Sequence, residues 1–234
     1  MNNAKFETIN FRFVFHDQSE KLFAIEINSD TYQIILPENI SAPDWTLLKN
    51  ILCPMQDCVH NNFCPLAYQL DKVIKMFDGI PSYENVTVHV ETLNRTYSKQ
   101  TSVQSGAGSL IGILMTTSGC YVLDKLRPMV RFHLPFATLD ETEYRTFSMF
   151  LFAQFLRLRN GLEPDWKMNS LGTLYEDIMK INKNLAQRIG KLEKLDASIN
   201  AVTILNNFAF SVLYSIEDED FSKFEKLFES WLDK

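Results

Sequence analysis

Glycine and proline are scarce in this chain, eight of each in 234 residues, about 7% where roughly 12% is average. A loop-rich all-β barrel needs more of both for its turns, so long regular elements, chiefly helices, are expected. Long apolar runs are also missing. Stretches such as Phe150-Leu151-Phe152-Ala153 fall far short of the roughly 18 residues that cross a bilayer, and no membrane association is expected. Basic charge is not in excess. Lys plus Arg is 23 against 29 for Asp plus Glu, a net charge of −6, which excludes the broad electrostatic footprint of a duplex nucleic-acid binder. There are four histidines and no Ser–His–Asp or H-E-x-x-H pattern, so common hydrolase and zinc-protease signatures are lacking. Met1-Asn2-Asn3-Ala4-Lys5-Phe6-Glu7 carries no apolar run of a secretory signal. The expected location is the cytoplasm, where thiols stay reduced.

What is present is an ordinary globular balance, 46% hydrophobic and 22% charged, in a chain long enough to bury a real core. Phe11 to Phe15, Leu22 to Ile27 and Tyr32 to Leu36 are rich in strand formers and read as an antiparallel meander of about three strands. Val86 to Thr92 alternates cleanly, with Arg95 to Val103 as its hairpin partner. Pro65 opens a helix that runs to about Phe77, before Gly79 and Pro81. From about Ser105 the periodicity becomes helical. Glu141 to Arg159 is apolar around most of its circumference and is expected to be a central buried helix. Helices over about 170–192 and 196–214 follow, then a short one with Phe221, Phe224, Leu227, Phe228 and Trp231 on one stripe. The class is α+β: a small N-terminal antiparallel sheet packed with a predominantly helical C-terminal region. Residues 1–103 hold the β-rich part and 104–234 the helical part, expected to form one compact unit.

The chemistry concentrates in two places. The first is Cys53-Pro54-Met55-Gln56-Asp57-Cys58-Val59-His60-Asn61-Asn62-Phe63-Cys64-Pro65. Three thiols and an imidazole so close in sequence are soft ligands that favour zinc or iron–sulfur over magnesium or calcium. A tetrahedral site needs a fourth ligand, either Cys120 brought in by folding or His60. The all-cysteine set suits structural zinc or a 4Fe–4S cluster. Cysteines serving as small buried hydrophobes are the plain alternative. The spacing is not the paired C-x2-C of a zinc ribbon.

The second place is Ser105 to Thr138. Arg95 to His133 carries five basic residues and the single acid Asp124, so the rest of the chain is markedly acidic. Arg127 and Arg131 have the chemistry of an anion clamp, and His133 that of an acid or base near neutral pH. Gly106 and Gly108, opening a helix, are weaker candidates for cradling a phosphate or carboxylate. Ion pairing of the arginines with Asp140, Glu141 or Glu143 accounts for the same residues without any ligand.

Arg95-Thr96-Tyr97-Ser98-Lys99, Ser118-Gly119-Cys120 and the block Leu123 to Thr138 resemble a family of uncharacterised bacterial proteins, a domain of unknown function. The likeness extends more softly through Glu163-Pro164-Asp165-Trp166 and most of the chain. In that family a Cys-Pro group sits where Cys53, Cys58 and Cys64 lie here. This chain departs from it at Tyr121, where the family has proline, and in the spacing of the first two cysteines. The resemblance implies a bacterial cytoplasmic protein and brings no activity with it. The residues favour a non-enzymatic zinc protein with a regulatory or interaction role, its C-terminal helices and the acidic Glu217-Asp218-Glu219-Asp220 available to a protein partner or to self-association. A small-anion enzyme or sensor and an iron–sulfur redox protein are the alternatives.

Overall fold

Strand β1 (Phe6–Phe15) turns through His16 to Ser19 into β2 (Glu20–Asn28), pairing Phe6 with Asn28 and Val14 with Glu20. The Asp17 carboxylate closes the turn by accepting from the Ser19 backbone N–H and hydroxyl, at 2.9 and 2.6 Å. A second hairpin, β3 (Asn85–Glu91) and β4 (Thr96–Ser102), joins the other side of β1, giving an antiparallel sheet ordered β2-β1-β3-β4. Alternation puts Ile9, Phe11, Phe13, Phe15, Ile25, Ile27, Val86, Val88 and Val90 on one buried face. The computed structural model describes residues 6–37, 39–50, 52–192 and 196–232. Most of the N-terminal segment read above for a leader lies outside the described residues. The third strand expected over Tyr32 to Leu36 does not form as a regular element; that segment runs beside β2 through an isolated bridge, Ile34 to Ile27, with Ile35 N–H donating to Glu26 O at 3.0 Å. The free side of β1 is taken by β3, the cleanly alternating segment expected over Val86 to Thr92.

Helices cover the apolar face of the sheet. Cys64 stands at the N-terminus of α1 (Pro65–Met76), whose first residue is proline, as expected. β4 runs with no linker into α2 (Val103–Thr117), which lies against β3, β4 and α1 on one side and against a later helix on the other. A 3₁₀ turn (Leu123–Leu126) and the one-turn α3 (Pro128–Arg131) lead to α4 (Leu139–Arg159). Thr138 and Glu141 form a reciprocal capping box at its start. Then come α5 (Asn169–Ile189), α6 (Asp196–Glu217) and the one-turn α7 (Ser222–Glu225), which continues as a 3₁₀ turn to Trp231. The class is α+β.

The central helix is α2, not α4. Leu110, Ile111, Ile113, Leu114 and Met115 bury nearly its whole circumference. Its C-terminal hydroxyls, Thr116, Thr117 and Ser118, are satisfied by donating to the Ile113 and Met115 carbonyls at 2.8–3.0 Å. In α4 the buried stripe is narrow: Glu143, Thr146, Phe147, Phe150 and Gln154. Phe152, Phe155 and Leu158 point outward. An apolar circumference was read as burial, but only one side of α4 meets α6. Among the described residues, α6 alone is long and apolar enough, by length and composition, to cross a membrane. Here it packs against α2, α4 and α5.

Candidate functional site

The loop before α1 is held by backbone pairing and by the buried Leu48 and Met55. Leu47 bridges Phe63, Leu48 N–H donates to Asn62 O at 3.0 Å, and Cys64 N–H donates to Thr46 O at 2.9 Å. This returns Cys64 to the protein body beside Ser118-Gly119-Cys120, which leaves the end of α2 on a glycine with φ of +85°. All four thiols are free and part-buried, and Cys53 and Cys120 each lie near Cys58 and Cys64. Burial foremost, then nearness to Cys58 and Cys64, pushes the Cys53 thiol up to about 11. Cys64 and Cys120 are raised for the same reasons, burial first and the neighbouring cysteines after it. Three of the sulfurs face backbone donors that favour a thiolate: Met55 at Cys53, Leu66 and Ala67 at Cys64, Val122 and Leu123 at Cys120. The buried Arg188 guanidinium favours the Cys64 thiolate as well. Arg188 is fixed by Asn184 Oδ1 at 2.8 Å and reaches Leu52 O at 3.4 Å, tying α5 to the cysteine loop. His60 lies beside the group, its Nε2 3.4 Å from the Gly119 carbonyl. Among the described residues no three His, Cys, Asp or Glu side chains are arranged to hold a metal ion. The thiols are neighbours, not a finished ligand shell.

The structure separates the arginine–histidine segment. Arg127 closes on Asp124, with Nε 2.8 Å from Oδ1. Arg131 meets Glu7 at 3.6 Å and lies over the Tyr32 ring. Neither pairs with the acids of α4. Glu141 caps its own helix, while Asp140 and Glu143 hold Lys223. His133 points the other way, into the protein, where its Nδ1 is buried without a hydrogen-bond partner. Gly106 is a packing glycine, since a Cβ there would sit 2.8 Å from both Phe13 and Val88. Gly108 faces open space and belongs, with His133, to a cavity of about 320 Å³.

That cavity lies between α2, α4, α5, α6 and the 123–138 segment, with walls of Ile113, Leu126, Met129, Ile178, Leu205 and Phe208. Among its polar groups Ser109, His133, Arg145, Tyr175 and Asn182 stand out. Arg145, Tyr175 and Asn182 were not anticipated. Arg145 sits inside a helix of mixed polarity and gave no signal. Asn182 did give one, because it falls on the buried stripe of α5 between Ile178 and Leu185.

Residues 9–229, nearly the whole chain, match one family model. The chain belongs to DUF6901, a domain of unknown function. Neither the curated proteins nor the solved structures gave a match. The DUF6901 match takes in both the cysteine group and the cavity.

Proposed function

We propose that this DUF6901 protein is a cytoplasmic metal-binding protein in which zinc, held by Cys53, Cys58, Cys64 and Cys120, staples the cysteine loop to the ends of α1 and α2. One observation carries the reading: Cys120, 56 positions beyond Cys64, is folded back beside Cys64 and Cys58. Four thiols gathered from two segments, with N–H donors aimed at their sulfurs, supply the donor set of a closed structural zinc site and the outer contacts that tune one. Four thiolates on a zinc ion leave net negative charge, which the Arg188 guanidinium offsets. The metal would cross-link the loop and lend it folding energy; it has no open position for catalysis. The regulatory or interaction role falls to surface left apolar: Phe152, Phe155, Leu158, Leu162 and Trp166 run along the end of α4 and beyond, all exposed. Such a patch suits a second copy of the chain or another protein.

The test is elemental analysis and a visible spectrum on protein purified without chelators or oxygen. About one zinc per chain is expected, lost in Cys64→Ser and Cys120→Ser and retained in His60→Ala. Iron with sulfide would assign a cluster in place of zinc. Protein free of metal, with thermal stability unchanged by a chelator, overturns the reading.

A further inference from the structure

The cavity beneath His133 carries groups that the fold itself leaves unused. Asn182 is 1% exposed, yet neither its amide nitrogen nor its oxygen has a hydrogen-bond partner. The buried Nδ1 of His133 has none either. Such orphans are costly, and a fold keeps several around one space when something else satisfies them. Arg145 adds a charge. Its Nη2 donates to the carbonyls of Met129 and Phe132 at 3.1 and 2.9 Å, which fixes the guanidinium at the cavity wall. Among the described residues no carboxylate lies within ion-pairing distance of it. Glu141, the acid that acts on it most strongly, spends its carboxylate on the Thr138 N–H at 2.7 Å. Lys99, the cavity's other cation, lies at the exposed edge.

The polar groups fall at two ends. Tyr175 stands by Arg145, since its hydroxyl is 2.9 Å from that of the adjacent Thr146. Asn182 is seven residues further along α5, roughly 10 Å away at 1.5 Å per residue. Between them the walls are Ile113, Ile178, Leu205 and Phe208. Asn182 also borders a second cavity of about 330 Å³ between α5 and α6. The guanidinium and the imidazole face the first one.

We infer that this cavity binds an amphipathic carboxylic acid, its carboxylate held by Arg145 beside His133, its apolar body along α2, α5 and α6, and a hydrogen-bonding far end met by Asn182. A planar guanidinium anchored on one nitrogen and open on the rest is the group that takes a carboxylate bidentately. Apolar walls with a few convergent polar groups are the usual make-up of a small-molecule site, and the volume is in the usual range. The site is independent of the cysteines.

The probes are 8-hydroxyoctanoate and 1,8-octanediol, which share a body and a far hydroxyl and differ in the carboxylate. Titrated calorimetrically into the full chain, the acid is expected to bind about tenfold or more tightly than the diol, the value of one charge-assisted contact. Arg145→Gln removes that difference, and Asn182→Leu weakens both probes. Arg145 also ties two backbone carbonyls, so its replacement can disturb the fold. Ala209→Phe, which fills the cavity from α6 without touching that network, is the independent check and abolishes binding of both. Equal affinity for acid and diol, no saturable binding of either, or undiminished binding to Ala209→Phe each overturns the inference.

Discussion

His133 is held neutral in this fold. Burial first, and the Arg145 cation after it, bring its pKa from 6.5 down to about 3. The unfolded chain takes up a proton between those values and the folded chain does not, so stability falls as pH drops through the window from about 6.5 to 3. The slope from this one group reaches about 1.4 kcal/mol per pH unit. His133→Gln removes it. Urea unfolding at pH 7 and pH 5 is expected to cost wild type roughly 1–2 kcal/mol more than the variant; equal losses in the two proteins would sink the account. Asp165 and Asp196, whose pKa values are lowered, contribute only at more acid pH and do so in both proteins. At the residue scale the sequence was half legible. His133 was singled out from its chemistry, and the structure gives it a place in a cavity wall. Arg127 and Arg131 looked equally active, but local acids close on them. Asn182 was overlooked although it interrupts a buried apolar stripe, the one pattern that marks a polar residue as internal; Glu143 was named as an acid for the arginines and instead lies buried against Ser211 and Lys223.

Among the elements, α2 shows how one residue type serves two ends. Gly106 lets the helix lie against Phe13 and Val88, while a Cβ on Gly108 would meet nothing within 4 Å. Gly106→Ala gains up to about 1 kcal/mol of helix propensity but overpacks a junction that would have to shift, costing about 1–3 kcal/mol. A net loss of stability is expected. Gly108→Ala keeps the propensity gain without the clash and is expected to stabilise by about 0.5–1 kcal/mol. Denaturant midpoints of the two variants check this, and a stabilised Gly106→Ala would show that the helix can lift from the sheet freely. The hairpins and the helix starting at Pro65 were legible because alternation and capping are local. The centrality of α2 over α4 was not. Glu141 to Arg159 reads as apolar around most of its circumference, and which helix is enclosed depends on where α6 and the sheet arrive, which no local window contains.

The C-terminal segment is joined to α4 and α6 at Glu143. This carboxylate is fully buried on α4, accepts from the Ser211 hydroxyl of α6 at 2.5 Å, and pairs with Lys223 of α7. Asp140 holds the same ammonium at 3.0 Å. Phe221 and Phe224 close edge-on over Phe147, with centroids 5.3 and 6.2 Å away. The aromatic stripe legible in the last residues is thus divided by the fold. Its first half covers the protein's own core, and Leu227 and Trp231 remain exposed. Deleting residues 218–234 takes Lys223 from a buried carboxylate and uncovers Phe147. Stripping one partner from a fully buried pair costs about 3–5 kcal/mol; Lys223 is part-exposed, so the expected loss is about 3 kcal/mol in urea unfolding. Adding Glu143→Gln to the truncated chain should recover part of it, because the uncompensated charge is then gone. Self-association, read by sedimentation, should survive the deletion, since Phe152, Phe155 and Leu158 lie outside the deleted segment. A truncated chain with an unchanged unfolding midpoint and lost self-association would reverse the assignment, making the C-terminal segment the docking element and α4 its bystander.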